Sequence, residues 1–121
     1  MRMFTKQKTK GLAGVFAITR LGEPIAPGVF VNPYVDGIVI RTTWEDIEPA
    51  RGQYNWSFID SQLTTGKSAI LIVLPGAYTP EWALDGVRTA AFRVKYGFSA
   101  GKSVVLPMPW DKVYLDRKSV V

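Results

Sequence analysis

The chain has 121 residues, of which 47% are hydrophobic, and it contains four tryptophans but no cysteine and no histidine. A chain this apolar can bury a core, so the composition predicts one folded domain or part of one rather than a disordered segment. Without cysteine and histidine, disulfides, thiol chemistry and histidine-based triads are excluded and zinc sites are disfavoured. Metal binding through carboxylates alone stays open, but no loop has the aspartate spacing of a calcium site, and we expect no cofactor and no metal.

The net charge of +5 is distributed unevenly along the chain. Residues 1–20 hold five basic and no acidic residues, residues 21–87 hold three basic and eight acidic residues, and residues 88–121 hold seven basic and two acidic residues. We find no basic helix and no alternation of basic with aromatic residues at either end. The pattern therefore favours solvated ends and predicts no nucleic-acid partner.

The first 12 residues are predicted to be a basic N-terminal lead. The apolar segment Gly11–Ile18 behind it imitates a signal peptide, but no small-x-small cleavage site follows and Arg20 interrupts the approach to Gly22. A first strand within Gly14–Ile18 is the favoured alternative, and the pattern leaves open whether the protein is cytoplasmic or secreted. No run approaches 18 apolar residues, so we expect no membrane span.

The centre of the chain has the pattern of a strand, a helix and a second strand. The predicted strands are Val35–Arg41 and Ser68–Leu74, and the predicted helix is Trp56–Leu63. Both strands are continuously apolar, which is typical of parallel strands covered on both faces. On the helix, the spacing of Trp56, Ile59 and Leu63 predicts that these side chains face the sheet.

The remaining segments give shorter elements. Asn55 or Ser57 is the predicted N-cap of the central helix. Residues 42–54 are predicted to be a loop with at most one helical turn, and residues 85–101 have no clear periodicity. Thr79 is predicted to cap a short helix over Glu81–Leu84. A small strand is predicted over Lys102–Leu106, and Asp111 is predicted to cap a helix that begins at Lys112.

One ordered set of residues resembles a known family. It comprises Ile40-Arg41, Trp44, Ile47-Glu48-Pro49, Gly52, Tyr54, Trp56-Ser57, Ile59-Asp60, Gly66-Lys67, the apolar run Ser68–Leu74, Gly76, Thr79-Pro80, Trp82, Pro109-Trp110-Asp111 and Tyr114. This set resembles the early repeats of (β/α)8-barrel glycoside hydrolases, in particular the β-galactosidase-like and cellulase-like families with two glutamates. The resemblance implies an α/β fold in which residues 13–115 form part of a TIM barrel, with the first two to three βα repeats only.

The resemblance also implies an activity and a substrate. Such enzymes cleave glycosidic bonds with retention, using one glutamate as acid/base and another as nucleophile about 5 Å apart. Both glutamates lie on later strands of a barrel of about 250 residues, so we expect no catalytic residue in this chain and no hydrolysis by it alone. Glu45, Glu48 and Glu81 are not assigned to the pair, and Glu48 is expected to order its turn. The implied partner is a carbohydrate substrate.

Six residues are candidate substrate contacts: Arg41, Trp44, Tyr78, Trp82, Trp110 and Asp111. In similar barrels an arginine at the position of Arg41 hydrogen-bonds the nucleophilic carboxylate, and the alternative is a salt bridge at the rim. The three tryptophans are either stacking platforms for sugar rings or plugs that pack a loop on the barrel, with the core interpretation slightly favoured. Asp111 is more typical of a helix cap than of a sugar ligand, and Tyr78 is a rim contact.

The last six residues, 116–121, have no counterpart in the resemblance. Their sequence, DRKSVV, matches one reading frame of a common sequencing adapter, so we expect a non-native tail that resequencing of the locus would test. The alternative to a glycosidase fragment is a small non-enzymatic α/β module that binds a carbohydrate or a protein. The two differ in one observable, since a fragment exposes an unpaired strand edge and an apolar face.

Overall fold

The computed structural model describes residues 13–63, 66–97 and 100–118. The strands are β1 (Phe16–Ile18), β2 (Gly37–Thr43), β3 (Ser68–Leu74), β4 (Thr89–Arg93) and β5 (Ser103–Pro107). The helices are α1 (Pro27–Phe30), α2 (Trp44–Ile47), α3 (Ser57–Gln62), α4 (Glu81–Leu84) and α5 (Lys112–Lys118), with a 3-10 turn at Gly76–Tyr78. The predicted lead, 1–12, and the tail residues 119–121 lie outside the described residues, whereas Asp116 to Lys118 form the end of α5.

The described strands form two sheets. One has the order β1-β2-β3, and the other is the antiparallel pair β4-β5. β1 and β2 are parallel, with Phe16 opposite Gly37 and Ile18 opposite Val39. The α/β class is therefore confirmed in the form of a small mixed fold with parallel and antiparallel strands. The more specific barrel assignment stays a prediction.

Strand β2 is buried at every position except Arg41, which is half-buried. It begins and ends two residues later than predicted. The shift has a local cause, since the Asp36 carboxylate accepts a hydrogen bond from the Val15 backbone N–H at 2.8 Å and Asp36 thereby belongs to the turn before the strand. Gly37 then allows a close approach, because a Cβ there would lie 2.7 Å from the Ser68 carbonyl oxygen.

Strand β3 has the predicted bounds but not the predicted burial. None of its seven residues is buried, and Leu71 is 46% exposed. The expectation that both faces are covered is therefore wrong for β3. The physical reason is its position, because β3 is an edge strand with β2 as its only described neighbour and too little of the described chain lies over it.

Helix α3 lies within the predicted segment but buries a different face. Ile59 and Gln62 are buried, whereas Trp56 and Leu63 are exposed, so the predicted stripe is wrong at two of three positions. The Gln62 side-chain oxygen accepts a hydrogen bond from the Ile25 backbone N–H at 2.8 Å, which explains why a polar side chain is buried. The predicted cap is also wrong, since the N-cap is Trp56 and has no side-chain capping bond.

The described residues divide into two compact units. One contains those of Met1–Thr42 and Trp56–Ile72, and the other those of Thr43–Asn55 and Val73–Val121. In the second unit, Trp44, Ala83 and Tyr114 are the buried centre of a hydrophobic cluster, and Val73, Trp82 and Val87 pack against it. The second unit thus contains the segments that follow the C-terminal ends of both β2 and β3.

Strand β4 was not predicted, although its partner β5 was placed to within one residue. The sequence of β4, TAAFR, has no alternating pattern and two alanines, so its local β preference is weak. Hydrogen bonding to β5 stabilises this strand despite its weak local preference, with Ala91 opposite Val105 and Arg93 opposite Ser103. Among the described helices, none is long and apolar enough to cross a membrane.

Candidate functional site

The candidate site lies in the second unit, where the segments after β2 and β3 pack together. Helix α2 follows β2 directly, and Thr43 caps it by accepting a hydrogen bond from the Asp46 backbone N–H at 3.1 Å. This places the Trp44 ring edge-on against the Trp82 ring of α4, with centroids 5.7 Å apart and an interplanar angle of 87°. The Tyr114 ring of α5 lies 6.3 Å from Trp44. We call Trp44, Glu48, Trp82 and Tyr114 the Trp44 cluster.

Glu48 is the buried carboxylate of this cluster. Its Oε2 accepts a hydrogen bond from the Trp44 indole N–H at 3.0 Å, and its Oε1 accepts one from the Gly52 backbone N–H at 2.8 Å. The Glu48 backbone carbonyl accepts a further bond from the Trp82 indole N–H at 2.9 Å. The expectation that Glu48 orders its turn is confirmed, and in addition it joins α2 to α4 through both indoles.

The Tyr114 hydroxyl joins α5 to the segment after β3. It lies 3.2 Å from the Thr79 hydroxyl and accepts a hydrogen bond from the Gly76 backbone N–H at 3.3 Å. Thr79 was predicted to cap α4, but the N-cap is Pro80 and makes no side-chain bond. The Thr79 hydroxyl is instead part of a buried polar contact between two elements far apart in sequence.

Asp111 is a fully occupied helix cap. Its Oδ1 accepts hydrogen bonds from the Val113 and Tyr114 backbone N–H groups at 3.0 and 3.3 Å, which confirms the predicted capping of α5. Its Oδ2 accepts bonds from the Arg88 backbone N–H at 3.3 Å and the Arg88 Nε at 3.4 Å. These bonds, led by that from the Arg88 backbone, hold the pKa of Asp111 below its usual value.

The candidate aromatic contacts differ in how much ring they present. Trp44 is 1% exposed and therefore serves as core, which is the interpretation that the sequence slightly favoured. Trp82 is half-buried with its indole N–H engaged, and Tyr78 is half-buried in the 3-10 turn after β3. Trp110 is 66% exposed in the turn before α5. Of these four, Trp110 has the ring most available for stacking on a sugar.

Arg41 lies in the other unit. It is half-buried, and its Nη1 donates to the Thr19 carbonyl oxygen at 3.4 Å. This contact holds the guanidinium against the segment that follows β1. A role for Arg41 towards a substrate stays a prediction.

Sequence reasoning missed the polar part of the Trp44 cluster. The signal was present as a Trp and a Glu four residues apart, Trp44 and Glu48, a spacing that places two side chains on one face of a helical turn. Neighbouring Glu45 is exposed; partial desolvation of its carboxyl group, and to a smaller extent the nearby Asp46 charge, raises its pKa. The described residues contain no group of three or more acidic side chains that could hold a metal ion.

Comparisons of the chain with protein-family models, with curated proteins and with solved structures found no match.

Proposed function

We propose that this chain is a segment of a retaining glycoside hydrolase with a (β/α)8-barrel fold, and that its role there is to contact the sugar rather than to supply the catalytic glutamates. Its first support is the resemblance of the ordered residue set that ends at Tyr114 to the early repeats of such barrels. The observation that carries it is β3, a strand of seven residues, six of them apolar, that has no buried position. An apolar edge strand of this length is a surface that further repeats of a barrel would cover.

The packing after β2 and β3 also favours this proposal. In parallel α/β folds, the segments after neighbouring strands meet at one end of the sheet, and ligands bind there. Here α2 and α4 follow β2 and β3, and they pack through Trp44 and Trp82 in one compact unit. Packing between the helices that follow neighbouring strands is what the first repeats of a barrel would have.

The contacts divide the candidate residues by role. We assign sugar stacking to Trp110, whose exposed indole offers the flat apolar face that pyranose C–H groups contact, with Tyr78 as a secondary contact. Asp111 and Trp44 support this region, because the first holds the start of α5 and the second lies in the core. Glu48 has no acid or base role in the proposal, since both of its oxygens are occupied by structural donors.

The first experiment tests for catalysis. The 121-residue chain is incubated with a panel of aryl β-galactosides and β-glucosides, and the released phenol is measured. We expect no turnover above buffer. Hydrolysis that survives purification to homogeneity and is lost in the Glu48→Gln variant would overturn the statement that the catalytic carboxylates are not in this chain.

The second experiment tests for sugar contact. Binding of galacto- and gluco-oligosaccharides is followed by changes in NMR chemical shift, in the chain and in Trp110→Ala. We expect weak binding that Trp110→Ala abolishes. Trp56→Ala, which changes the exposed N-cap residue of α3 in the other unit, should leave binding intact. An unchanged affinity in Trp110→Ala would contradict the assigned contact.

Hydrogen exchange distinguishes the proposal from a self-contained binding module. In the proposal, the β3 backbone N–H groups that point away from β2, which have no partner strand among the described residues, exchange quickly. Those that point towards β2 exchange slowly. Uniform protection along Ser68–Leu74 would indicate a protected edge and would favour the non-enzymatic module.

A further inference from the structure

A second feature, independent of the proposed function, is the hairpin formed by β4 and β5. Residues 86–110 contain four basic residues and no acidic one. Three of the four, Arg93, Lys95 and Lys102, lie in the outer half of the hairpin, whereas Arg88 lies at its base beside Asp111. Residues 92–96, whose sequence is FRVKY, place two basic residues between two aromatic ones, so the expectation of no such interleaving is wrong for this segment.

The register assigns side chains to the two faces of the hairpin. Ala91 and its partner Val105 lie on one face, and Phe92 and its partner Val104 lie on the other. Towards the base, Leu106 approaches Gly76, so that end of the hairpin is packed. The outer half is not packed, since Phe92 is 53% and Val105 48% exposed.

A further exposed aromatic ring lies near the end of the hairpin. Tyr96 is 84% exposed and follows Lys95 directly. Apolar side chains are therefore exposed on both faces and near the tip, with cations between them. A flat partner, such as a nucleic acid, a glycan or one face of a protein, would cover only one of these faces. A medium that surrounds the outer half would cover them all.

We propose that the described outer half of the β4–β5 hairpin, residues 92–96 and 102–105, binds the interfacial layer of a bilayer that contains anionic lipids. The cations match the charge of the lipid phosphates and carboxylates, and tyrosine side chains concentrate at the interface between headgroups and acyl chains. From Phe92 to Tyr96 the chain spans at most about 13 Å, against a headgroup layer about 5–8 Å thick. Because that span exceeds the thickness of the layer, the strand would lie oblique to the membrane normal, which keeps Phe92 within the layer and places Tyr96 at the acyl boundary and Arg93 and Lys95 at the phosphates.

The test is flotation of the 121-residue chain with vesicles. One set contains phosphatidylcholine alone, and the other contains about one-third phosphatidylserine, a composition that supplies the negative surface potential. We expect binding to the anionic vesicles that weakens with added salt and is negligible with phosphatidylcholine. No flotation with either set would overturn the proposal.

Two pairs of variants assign the binding to the hairpin. Because each cation near an anionic surface contributes about fivefold in affinity, we expect Arg93→Gln with Lys95→Gln to weaken binding by about 25-fold. The matched control, Arg51→Gln with Lys112→Gln, removes two exposed charges outside the hairpin and should change binding by less than about threefold, from the lost net charge alone.

The second pair changes the aromatic ring. We expect Tyr96→Ser to weaken binding by about tenfold, in the range for removing an interfacial ring from partly apolar surroundings. Tyr34→Ser is the control, because Tyr34 is also 84% exposed but lies outside the hairpin. Far-UV circular dichroism and the total tryptophan emission verify folding of each variant.

Two outcomes identify other partners and overturn the proposal. Binding to single-stranded oligonucleotides or sulfated glycans at least as tight as to vesicles, with no loss in Tyr96→Ser, would assign the hairpin to a polyanion. Self-association that Tyr96→Ser abolishes, without vesicle binding, would assign it to a second copy of the chain.

Discussion

Replacing Glu48 by alanine is the change for which the structure makes the sharpest prediction. Glu48 is 2% exposed, and its two oxygens accept hydrogen bonds from the Trp44 indole N–H and the Gly52 backbone N–H. The substitution leaves both donors without their acceptor. The two donors differ in their access to water. Gly52 is exposed, so its N–H can bond to water, whereas the Trp44 indole is buried.

The expected loss follows from that difference. A buried donor without an acceptor costs about 1–3 kcal/mol, whereas a donor that reaches water loses little. We therefore expect Glu48→Ala to lower the free energy of unfolding by about 2–3 kcal/mol, almost all of it from Trp44. For a chain of this size, this corresponds to a decrease in Tm of about 8–12 °C.

Urea denaturation, followed by tryptophan emission and far-UV circular dichroism, measures this loss. Glu45→Gln is the control, since Glu45 lies on the same helical turn but is exposed, and we expect a change below about 0.5 kcal/mol. A double-mutant cycle with Trp44→Phe isolates the bond, because phenylalanine removes the donor. We expect a coupling energy of about 1–2 kcal/mol. A loss below about 0.5 kcal/mol in Glu48→Ala, or additive effects in the cycle, would refute the reasoning.

Two further stability predictions rest on Gly37 and Asp111. Gly37→Ala would place a Cβ 2.7 Å from the Ser68 carbonyl oxygen and closer still to the Phe16 ring, so we expect a loss of about 3 kcal/mol in urea denaturation. A Cβ at Gly28 would meet no atom within 4 Å, so Gly28→Ala should not lower the free energy of unfolding. Equal losses of stability in Gly37→Ala and Gly28→Ala would contradict the packing of β1 and β2. Because the pKa of Asp111 is lowered by folding, the folded chain binds fewer protons at Asp111 than the unfolded chain does. The ionised carboxylate therefore stabilises the fold. This stabilisation is complete above about pH 4 and is lost as the pH falls through the folded-state pKa. Thermal unfolding of wild type and Asp111→Asn between pH 7 and pH 2.5 should show a difference in Tm that narrows as the pH falls below about 4, and a constant difference would show that ionisation of Asp111 does not matter.

The local sequence predicted the elements whose signals are short-range. The bounds of β3 and α4 match the prediction, and β5 is shifted by one residue. The capping of α5 by Asp111 was also predicted, because an aspartate before a helical run satisfies backbone donors within its own turn. Glu48 was expected to order its turn, and its bond to the Gly52 N–H, four residues on, is again a local contact.

Contacts between distant segments could not be predicted in the same way. The buried face of α3 depends on Gln62, whose partner Ile25 is 37 residues away, so helical periodicity favoured Trp56 and Leu63 instead. Strand β4 has weak local preference and exists because β5 pairs with it. The same applies to the exposure of β3, since an apolar run indicates a strand but not whether anything lies over it.

The sequence by itself determined the α/β class, the positions of the main strands and the chemical character of the chain, because apolar runs, turn residues and the absence of histidine and cysteine act locally or by composition. The tertiary structure alone decided that Trp44 is core while Trp110 is exposed, and that Glu48 joins two indoles. Burial and hydrogen-bond partners are properties of chain segments that meet after folding. No single stretch of residues specifies them.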